Sequence, residues 1–255
     1  DSVLAKMTRE KWFLVTFFAG FVIRLIPEVL AFPYPIGFDT VYYAARMKNC
    51  VIWPHWSTLF TSAWLLHALT APLYTLSSID PFLLLKIVAP LLYGLNVTGI
   101  YYFANKALGW GVKKSLFAGG FFAVQLASLR ISWDLLRNTL GMGVLLFALP
   151  FIYKLDSKRG IACFVSLSLL TVFAHEYAAV TLLAIVLGSV FWRFVRRKQG
   201  RMNIRRILVV LPALTVFLAG IYLRIFPIRY VVETNIIGVG DVVRAAPGRL
   251  FFLTN

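Results

Sequence analysis

The feature that most constrains this chain is a series of long apolar runs separated by short basic or Gly/Pro-containing stretches. The runs cover about 11–31, 57–77, 81–105, 113–130, 135–154, 160–175, 177–193 and 206–226. A helix of about 20 apolar residues matches the hydrocarbon core of a bilayer. The runs mostly lack the two-residue alternation of membrane barrel strands. The sequence therefore predicts an all-α polytopic membrane protein.

Composition excludes a soluble enzyme. Of the 255 residues, 60% are hydrophobic and only 14% are charged, whereas a soluble domain keeps roughly a quarter of its residues charged. A net charge of +16 would suggest a nucleic-acid partner in a soluble protein. Here the basic residues lie in short runs between apolar segments, where they face anionic lipid head groups. We therefore expect membrane lipids as partners and no nucleic acid.

The distribution of Lys and Arg predicts the topology. If 57–77 does not cross the bilayer, 16 basic residues fall on the cytoplasmic side and seven outside; if it crosses, the counts become eight and 15. The positive-inside rule favours the first arrangement. We therefore predict seven spans, a cytoplasmic amino terminus, and a re-entrant or interfacial helical element at 57–77 within the first outer loop, 32–80. The carboxyl end then lies outside.

The first outer loop contains a candidate acid. Gly37 precedes Asp39 and frees the backbone to turn, and the residues from Thr40 onward are typical of a helix. Asp39 then lies at or near a helix N-cap, where a carboxylate accepts backbone N–H groups. The alternative is a general base or metal ligand at the membrane surface.

The second outer loop, 128–138, contains three charged residues. Arg130, Asp134 and Arg137 are spaced by four and three residues, so on one helix they would share a face. One interpretation is an Asp–Arg pair near the head groups. The other is a guanidinium fork for a phosphodiester or diphosphate, because planar guanidinium groups suit phosphate oxygens.

Four further sets of ionisable residues lie within or between apolar runs. His175 and Glu176 join two such runs and form either a polar hairpin tip or the lining of a cavity. Arg24 and Glu28 have the i, i+4 spacing of a salt bridge. We expect Lys86 to extend to the membrane interface, and the seven basic residues of 193–206 to face lipid on the inner side.

The order of these elements resembles the GT-C class of membrane glycosyltransferases. The stretch Gly-Phe-Asp39-Thr-Val-Tyr-Tyr-Ala-Ala-Arg-Met is similar to the first-loop acidic motif of the protein O-mannosyltransferase and aminoarabinose-transferase branch. Ser-x-Arg130-x-x-x-Asp134 resembles the second-loop acidic motif shared with oligosaccharyltransferase catalytic subunits. The resemblance covers most of 11–226. It implies that 1–226 form the seven-helix GT-C module and that 227–255 begin an outer polar C-terminal part.

The resemblance also implies an activity. Such enzymes transfer a sugar, with inversion, from a polyprenyl- or dolichyl-phosphate donor to a protein, lipid or glycan acceptor at the outer face. Asp39 would be the catalytic acid, Asp134 a second active-site acid, and Arg130 or Arg137 the partner of the donor phosphate. Tyr42, Tyr43, His175 and Glu176 are candidate cavity-lining residues. Metal dependence stays open: Asp39 and Asp134 would hold Mg²⁺ or Mn²⁺ if a divalent cation is required.

Two other functional classes stay open. A non-catalytic scaffold or accessory subunit of the same fold would also explain the single acids, since Asp39 and Asp134 both lack a neighbouring second acid. A transporter is less favoured because the ionisable residues cluster at the predicted outer edge rather than at the midplane. A prokaryotic plasma membrane is preferred to the endoplasmic reticulum as the location.

Overall fold

The computed structural model describes residues 9–48, 64–196 and 201–225, and these residues form helices without a strand. Two short helices follow the first long one. In chain order the α-helices are α1 (Arg9–Leu30), α2 (Thr40–Lys48), α3 (Leu65–Ser77), α4 (Pro81–Lys106), α5 (Val112–Val124), α6 (Leu126–Asp134), α7 (Leu136–Ala148), α8 (Lys158–Ala174), α9 (Glu176–Val195) and α10 (Arg201–Ile225). A 3₁₀ helix, Leu149–Tyr153, extends α7.

Helices α1 and α4 pack closely because glycines face the contact. A Cβ atom on Gly20 would lie 2.6 Å from Cγ2 of Val97, and one on Gly94 would lie 2.8 Å from the carbonyl oxygen of Phe17. Small residues at a helix contact let two backbones approach, which is how apolar helices associate in lipid. This contact fixes α1 against the central helix.

The core is divided into two main parts. One cluster joins α2, α3, α4 and α7 and includes Tyr43, Met47, Leu85 and Leu136. The other joins α7, the 3₁₀ helix, α8, α9 and α10 around residues such as Phe164. Helices α4 and α7 therefore form the centre against which the segments carrying the predicted site residues pack.

Among the described residues, five helices are long and apolar enough to cross a membrane: Lys11–Leu30, Pro81–Lys106, Leu136–Tyr153, Glu176–Val195 and Arg205–Tyr222. Helices α5 and α6 pass the same test as a pair bent by 59°, so a sixth span follows if they count as one. The prediction of an all-helical polytopic membrane protein is confirmed. The seven-span count stays a prediction, since α8, the counterpart of the expected span 160–175, has only 17 residues.

Two of the predicted segments are interrupted. The expected continuous run 113–130 breaks at Gln125, whose φ of −71° and ψ of 124° are extended rather than helical. Of the expected interfacial element 57–77, the structure describes α3, whose 13 residues extend about 20 Å and are too short to span a bilayer core. The residues 57–63 and the predicted outer segment 227–255 lie outside the described residues.

Candidate functional site

The two predicted acidic loops contact each other. The backbone N–H of Phe38 donates a 2.6 Å hydrogen bond to Oδ1 of Asp134. Gly37 has a φ of +90°, and a Cβ atom there would overlap the carbonyl oxygen of Trp133. The prediction that Gly37 allows the backbone to turn is confirmed, because this φ and this close approach both favour glycine. The loop that carries Asp39 is thus held against the end of α6.

Asp39 occupies the helix start that the sequence predicts. Its carbonyl oxygen accepts the N–H of Tyr43, and α2 begins at the next residue, Thr40. Burial raises the pKa of the Asp39 carboxyl above its ordinary value, the nearby Asp134 carboxylate raises it further, and the Arg137 guanidinium lowers it. A partly exposed carboxyl with a raised pKa is a better proton acceptor than an ordinary aspartate.

Arg137 lies at the centre of the predicted residues. Its guanidinium interacts electrostatically with Tyr43, Glu176 and Tyr42 as well as with Asp39. Burial raises the pKa of the Tyr43 hydroxyl, and the adjacent Arg137 opposes that shift. The Nε of Arg137 is buried and has no hydrogen-bond partner within the described part of the chain. Residues from α2, α7 and α9 therefore meet around one cation.

The expectation that Arg130, Asp134 and Arg137 share one helix face is wrong. Leu135, with φ −106° and ψ 64°, separates α6 from α7, so Arg137 belongs to a different helix. Arg130 instead pairs with Asp134 at 2.8 Å, and its side chain is 64% exposed. The break turns Arg137 toward α2 and leaves Arg130 near the surface. The two guanidiniums have separate surroundings and do not form the expected helical fork.

His175 forms a one-residue connection between α8 and α9, and Glu176 is the first residue of α9. His175 has an extended backbone, with φ −163° and ψ 139°, and its Nδ1 accepts the N–H of Tyr177. The imidazole is buried, and its Nε2 lies 3.8 Å from Oε2 of Glu176. The chain breaks between two helices here, as the sequence predicts, and the choice between a polar hairpin tip and a cavity-lining role stays a prediction. The interaction of Glu176 with Arg137 brings Glu176 to the end of the bundle that carries Asp39.

A buried ionic group lies beneath the site. The predicted Arg24–Glu28 pair is confirmed, with Nη2 of Arg24 2.7 Å from Oε1 of Glu28. The expectation that Lys86 extends to the interface is wrong: its Nζ lies 3.0 Å from Oε2 of Glu28 and the side chain is buried. Lys86 stays inside the protein because Arg24 uses only one oxygen of the Glu28 carboxylate, and the packing of α4 against α1 brings Lys86 to the other oxygen. The sequence signal for this triad was Glu28 on one apolar helix and Lys86, a lysine without a predicted partner, within another apolar run.

The described residues do not show a built site for Mg²⁺ or Mn²⁺ at Asp39 and Asp134, and metal dependence stays open. In Asp134, Oδ1 accepts the Phe38 N–H and Oδ2 pairs with Arg130. Among the described residues, no three His, Cys, Asp or Glu side chains lie close enough together to hold a metal ion. Such cations prefer several oxygen ligands.

Comparison with known proteins adds no relative. No protein-family model, curated protein or solved structure matches the chain. What can be said of function therefore depends on the geometry around Asp39, Asp134 and Arg137.

Proposed function

We propose that the protein is a GT-C-like glycosyltransferase that moves a sugar from a polyprenyl- or dolichyl-phosphate donor to a hydroxyl acceptor at the outer membrane face, with inversion. The observation that carries the proposal is the convergence of Asp39, Asp134 and Arg137, which come from three separate segments. The sequence resemblance assigns these residues to one site, and their closeness in the fold supports that assignment.

The proposed reaction is a single displacement. The acceptor hydroxyl attacks the anomeric carbon, Asp39 takes the hydroxyl proton, and the bond between the anomeric carbon and the phosphate oxygen breaks. The raised pKa of Asp39 suits this role, since a stronger base is a better proton acceptor. The leaving polyprenyl phosphate is an anion that needs a cation. Arg137 is the better candidate for it, because Asp134 already neutralises Arg130.

Asp134 contributes differently from Asp39. Both of its oxygens have partners, the Phe38 N–H and the Arg130 guanidinium. It therefore holds the loop that carries Asp39 and raises the pKa of that residue. We assign it a positioning role rather than proton transfer.

The non-catalytic alternative is favoured by this same engagement of Asp134. If its only role is to fasten two loops, Asp39 is the single acid left for chemistry, and the fold could serve as a scaffold that binds a carrier lipid. Binding of polyprenyl phosphate without consumption of any sugar donor would support that alternative.

The bent α5–α6 pair is the feature that would favour a transporter, because transporters use broken helices to expose carbonyl oxygens to an ion. Here the carbonyl oxygens of Phe122 and Ala123 both accept from the Tyr93 hydroxyl. Ser128 also donates to Phe122. These freed carbonyls are satisfied within the protein, so the break supports a transporter weakly.

The direct test is donor turnover by the purified protein in lipid nanodiscs. A panel of polyprenyl-phosphate hexoses and pentoses is incubated with wild type and with Asp39→Asn, and released polyprenyl phosphate is measured. We expect a 10²- to 10⁴-fold loss in the variant, the range for removal of a general base. Asp156→Asn is the matched control, because that acid is 72% exposed and pairs with Arg205 away from the site. Equal turnover by Asp39→Asn and Asp156→Asn would overturn the assignment.

A further inference from the structure

A small, partly open cavity lies directly beneath the candidate site. It is lined by residues of α1, α4, the Asp39 loop and the α6–α7 connection, namely Arg24, Glu28, Ile36, Thr40, Leu85, Lys86, Ala89, Trp133 and Leu136. Its interior has room for about one water molecule. Thr40 directly follows Asp39, and Trp133 directly precedes Asp134. Whatever occupies this space therefore touches both acidic segments.

The cavity wall carries a surplus of positive charge. Arg24 and Lys86 are both buried, and Glu28 is the only acid that forms an ion pair with either of them among the described residues. The two oxygens of Glu28 are each used once, by Nη2 of Arg24 and by Nζ of Lys86. Two cations against one carboxylate leave one uncompensated charge, which is costly where both cationic side chains are buried.

Two residues that line the cavity, Arg24 and Trp133, each have a buried hydrogen-bond donor with no acceptor among the described residues. Nε and Nη2 of Arg24 donate to Ser132, but Nη1 has no acceptor within the described ranges. The indole Nε1 of Trp133 is likewise buried and without an acceptor there. Buried donors are rarely left unpaired in proteins. The wall thus offers donors and positive charge, but lacks an acceptor and a negative charge.

We propose that this cavity is a binding site for a monatomic anion, chloride under ordinary conditions, held by Arg24, Lys86 and the Trp133 indole N–H. An anion satisfies both orphaned donors and balances the surplus charge in a single step. A water molecule satisfies the donors but not the charge. A phosphate or sulfate group exceeds the volume of about one water molecule. The bound anion joins the segments that carry Asp39 and Asp134 and so rigidifies the candidate site.

The experiment compares thermal unfolding of the purified protein in sodium chloride, sodium bromide, sodium gluconate and sodium phosphate at equal ionic strength. A ligand that binds only the folded state raises the melting temperature with its concentration. We expect stabilisation by chloride and bromide and none by gluconate or phosphate. Anomalous scattering from crystals grown in bromide then places the ion within contact of Arg24 and Trp133.

Two variants locate the effect. Trp133→Phe removes the indole donor and keeps an aromatic ring, and should weaken halide affinity about tenfold, the equivalent of one hydrogen bond to a charged group. Lys86→Met removes the surplus charge while Glu28 keeps Arg24, and should abolish the halide dependence. Trp64→Phe is the matched control, since the Trp64 Nε1 is also buried and has no acceptor among the described residues, but the residue does not line the cavity.

Three results would contradict the anion site. A melting temperature that does not depend on halide means that the cavity holds water, and overturns the proposal. Stabilisation by phosphate but not by chloride overturns it in favour of an oxyanion site. An equal loss in Trp64→Phe and Trp133→Phe also contradicts it. None of these results depends on donor turnover, so the anion site and the proposed transferase activity fail or succeed separately.

Discussion

The backbone N–H of Phe38 lies 2.6 Å from Oδ1 of Asp134, a residue 96 positions further along the chain. This contact fastens the loop before α2 to the end of α6. The two acids also differ in their surroundings. Both oxygens of Asp134 have partners, whereas Asp39 is a nearby carboxyl with a raised pKa. In the proposed site, Asp134 thus holds the loop that carries the candidate base, Asp39.

The positioning role of Asp134 predicts a difference between two substitutions. Asp134→Asn keeps an oxygen that accepts the Phe38 N–H, so the loop should stay fastened. Asp134→Ala removes that acceptor and the exposed Arg130 pair, and should cost about 1–2 kcal/mol of unfolding free energy. Hydrogen exchange at the Phe38 amide measures the contact directly. Equal amide protection in the Ala and Asn variants would contradict the role.

The raised pKa of Asp39 predicts the pH dependence of transfer. A general base must be deprotonated, so kcat/KM should rise with pH through a midpoint above the ordinary aspartate value. In Asp134→Asn the midpoint should move to lower pH, because the neighbouring carboxylate is one cause of the raised pKa. A midpoint that stays unchanged in this variant would show that Asp134 does not act on Asp39.

The same shift has a consequence for stability. A group whose pKa is raised by folding contributes stability below its unfolded pKa and loses it as pH rises through the folded pKa. Ionised Asp39 therefore destabilises the fold at neutral pH. Asp39→Asn should melt at a higher temperature than wild type at pH 7, and the difference should vanish below the ordinary aspartate pKa. A lower melting temperature at pH 7 would contradict the direction of the shift.

Gly37 and Gly109 form a matched pair for testing the loop. Both have positive φ values, +90° and +70°, but only at Gly37 would a Cβ atom meet another residue, the Trp133 carbonyl. Alanine at either position costs about 1–3 kcal/mol for the backbone conformation. Gly37→Ala should cost more, and should also reduce donor turnover, whereas Gly109→Ala should leave turnover unchanged. Thermal unfolding and polyprenyl phosphate release measure the two effects.

The helical membrane fold could be predicted from the sequence because it follows from local properties. Apolar runs predict helices, and the i, i+4 spacing of Arg24 and Glu28 predicts their salt bridge. The turn at Gly37 and the start of α2 after Asp39 follow from the conformational preferences of those residue types. The helix count and the orientation in the membrane stay predictions.

The parts that sequence analysis missed depend on long-range packing. No local feature of the sequence indicates that α6 ends just before Leu135. The spacing therefore predicts a single helix for Arg130, Asp134 and Arg137, whereas Arg137 belongs to α7. The sequence does not indicate that Lys86 pairs with Glu28, because Glu28 lies 58 positions earlier and the contact between α1 and α4 is tertiary. Lys86 is therefore expected at the interface. The sequence does not single out Trp133, because the surroundings of its indole N–H are set by tertiary packing.

The buried triad predicts that charge balance, rather than the number of contacts, decides the stability of this region. Glu28→Gln leaves Arg24 and Lys86 as two buried cations without a carboxylate, and should cost roughly 3–5 kcal/mol. Lys86→Met leaves a balanced Arg24–Glu28 pair and should cost much less. Unfolding of the full chain in gluconate buffer measures both variants without halide compensation. Asp156→Asn breaks an exposed pair with Arg205 and should cost under about 1 kcal/mol. If Glu28→Gln costs no more than Asp156→Asn, the triad does not carry the charge that its geometry implies.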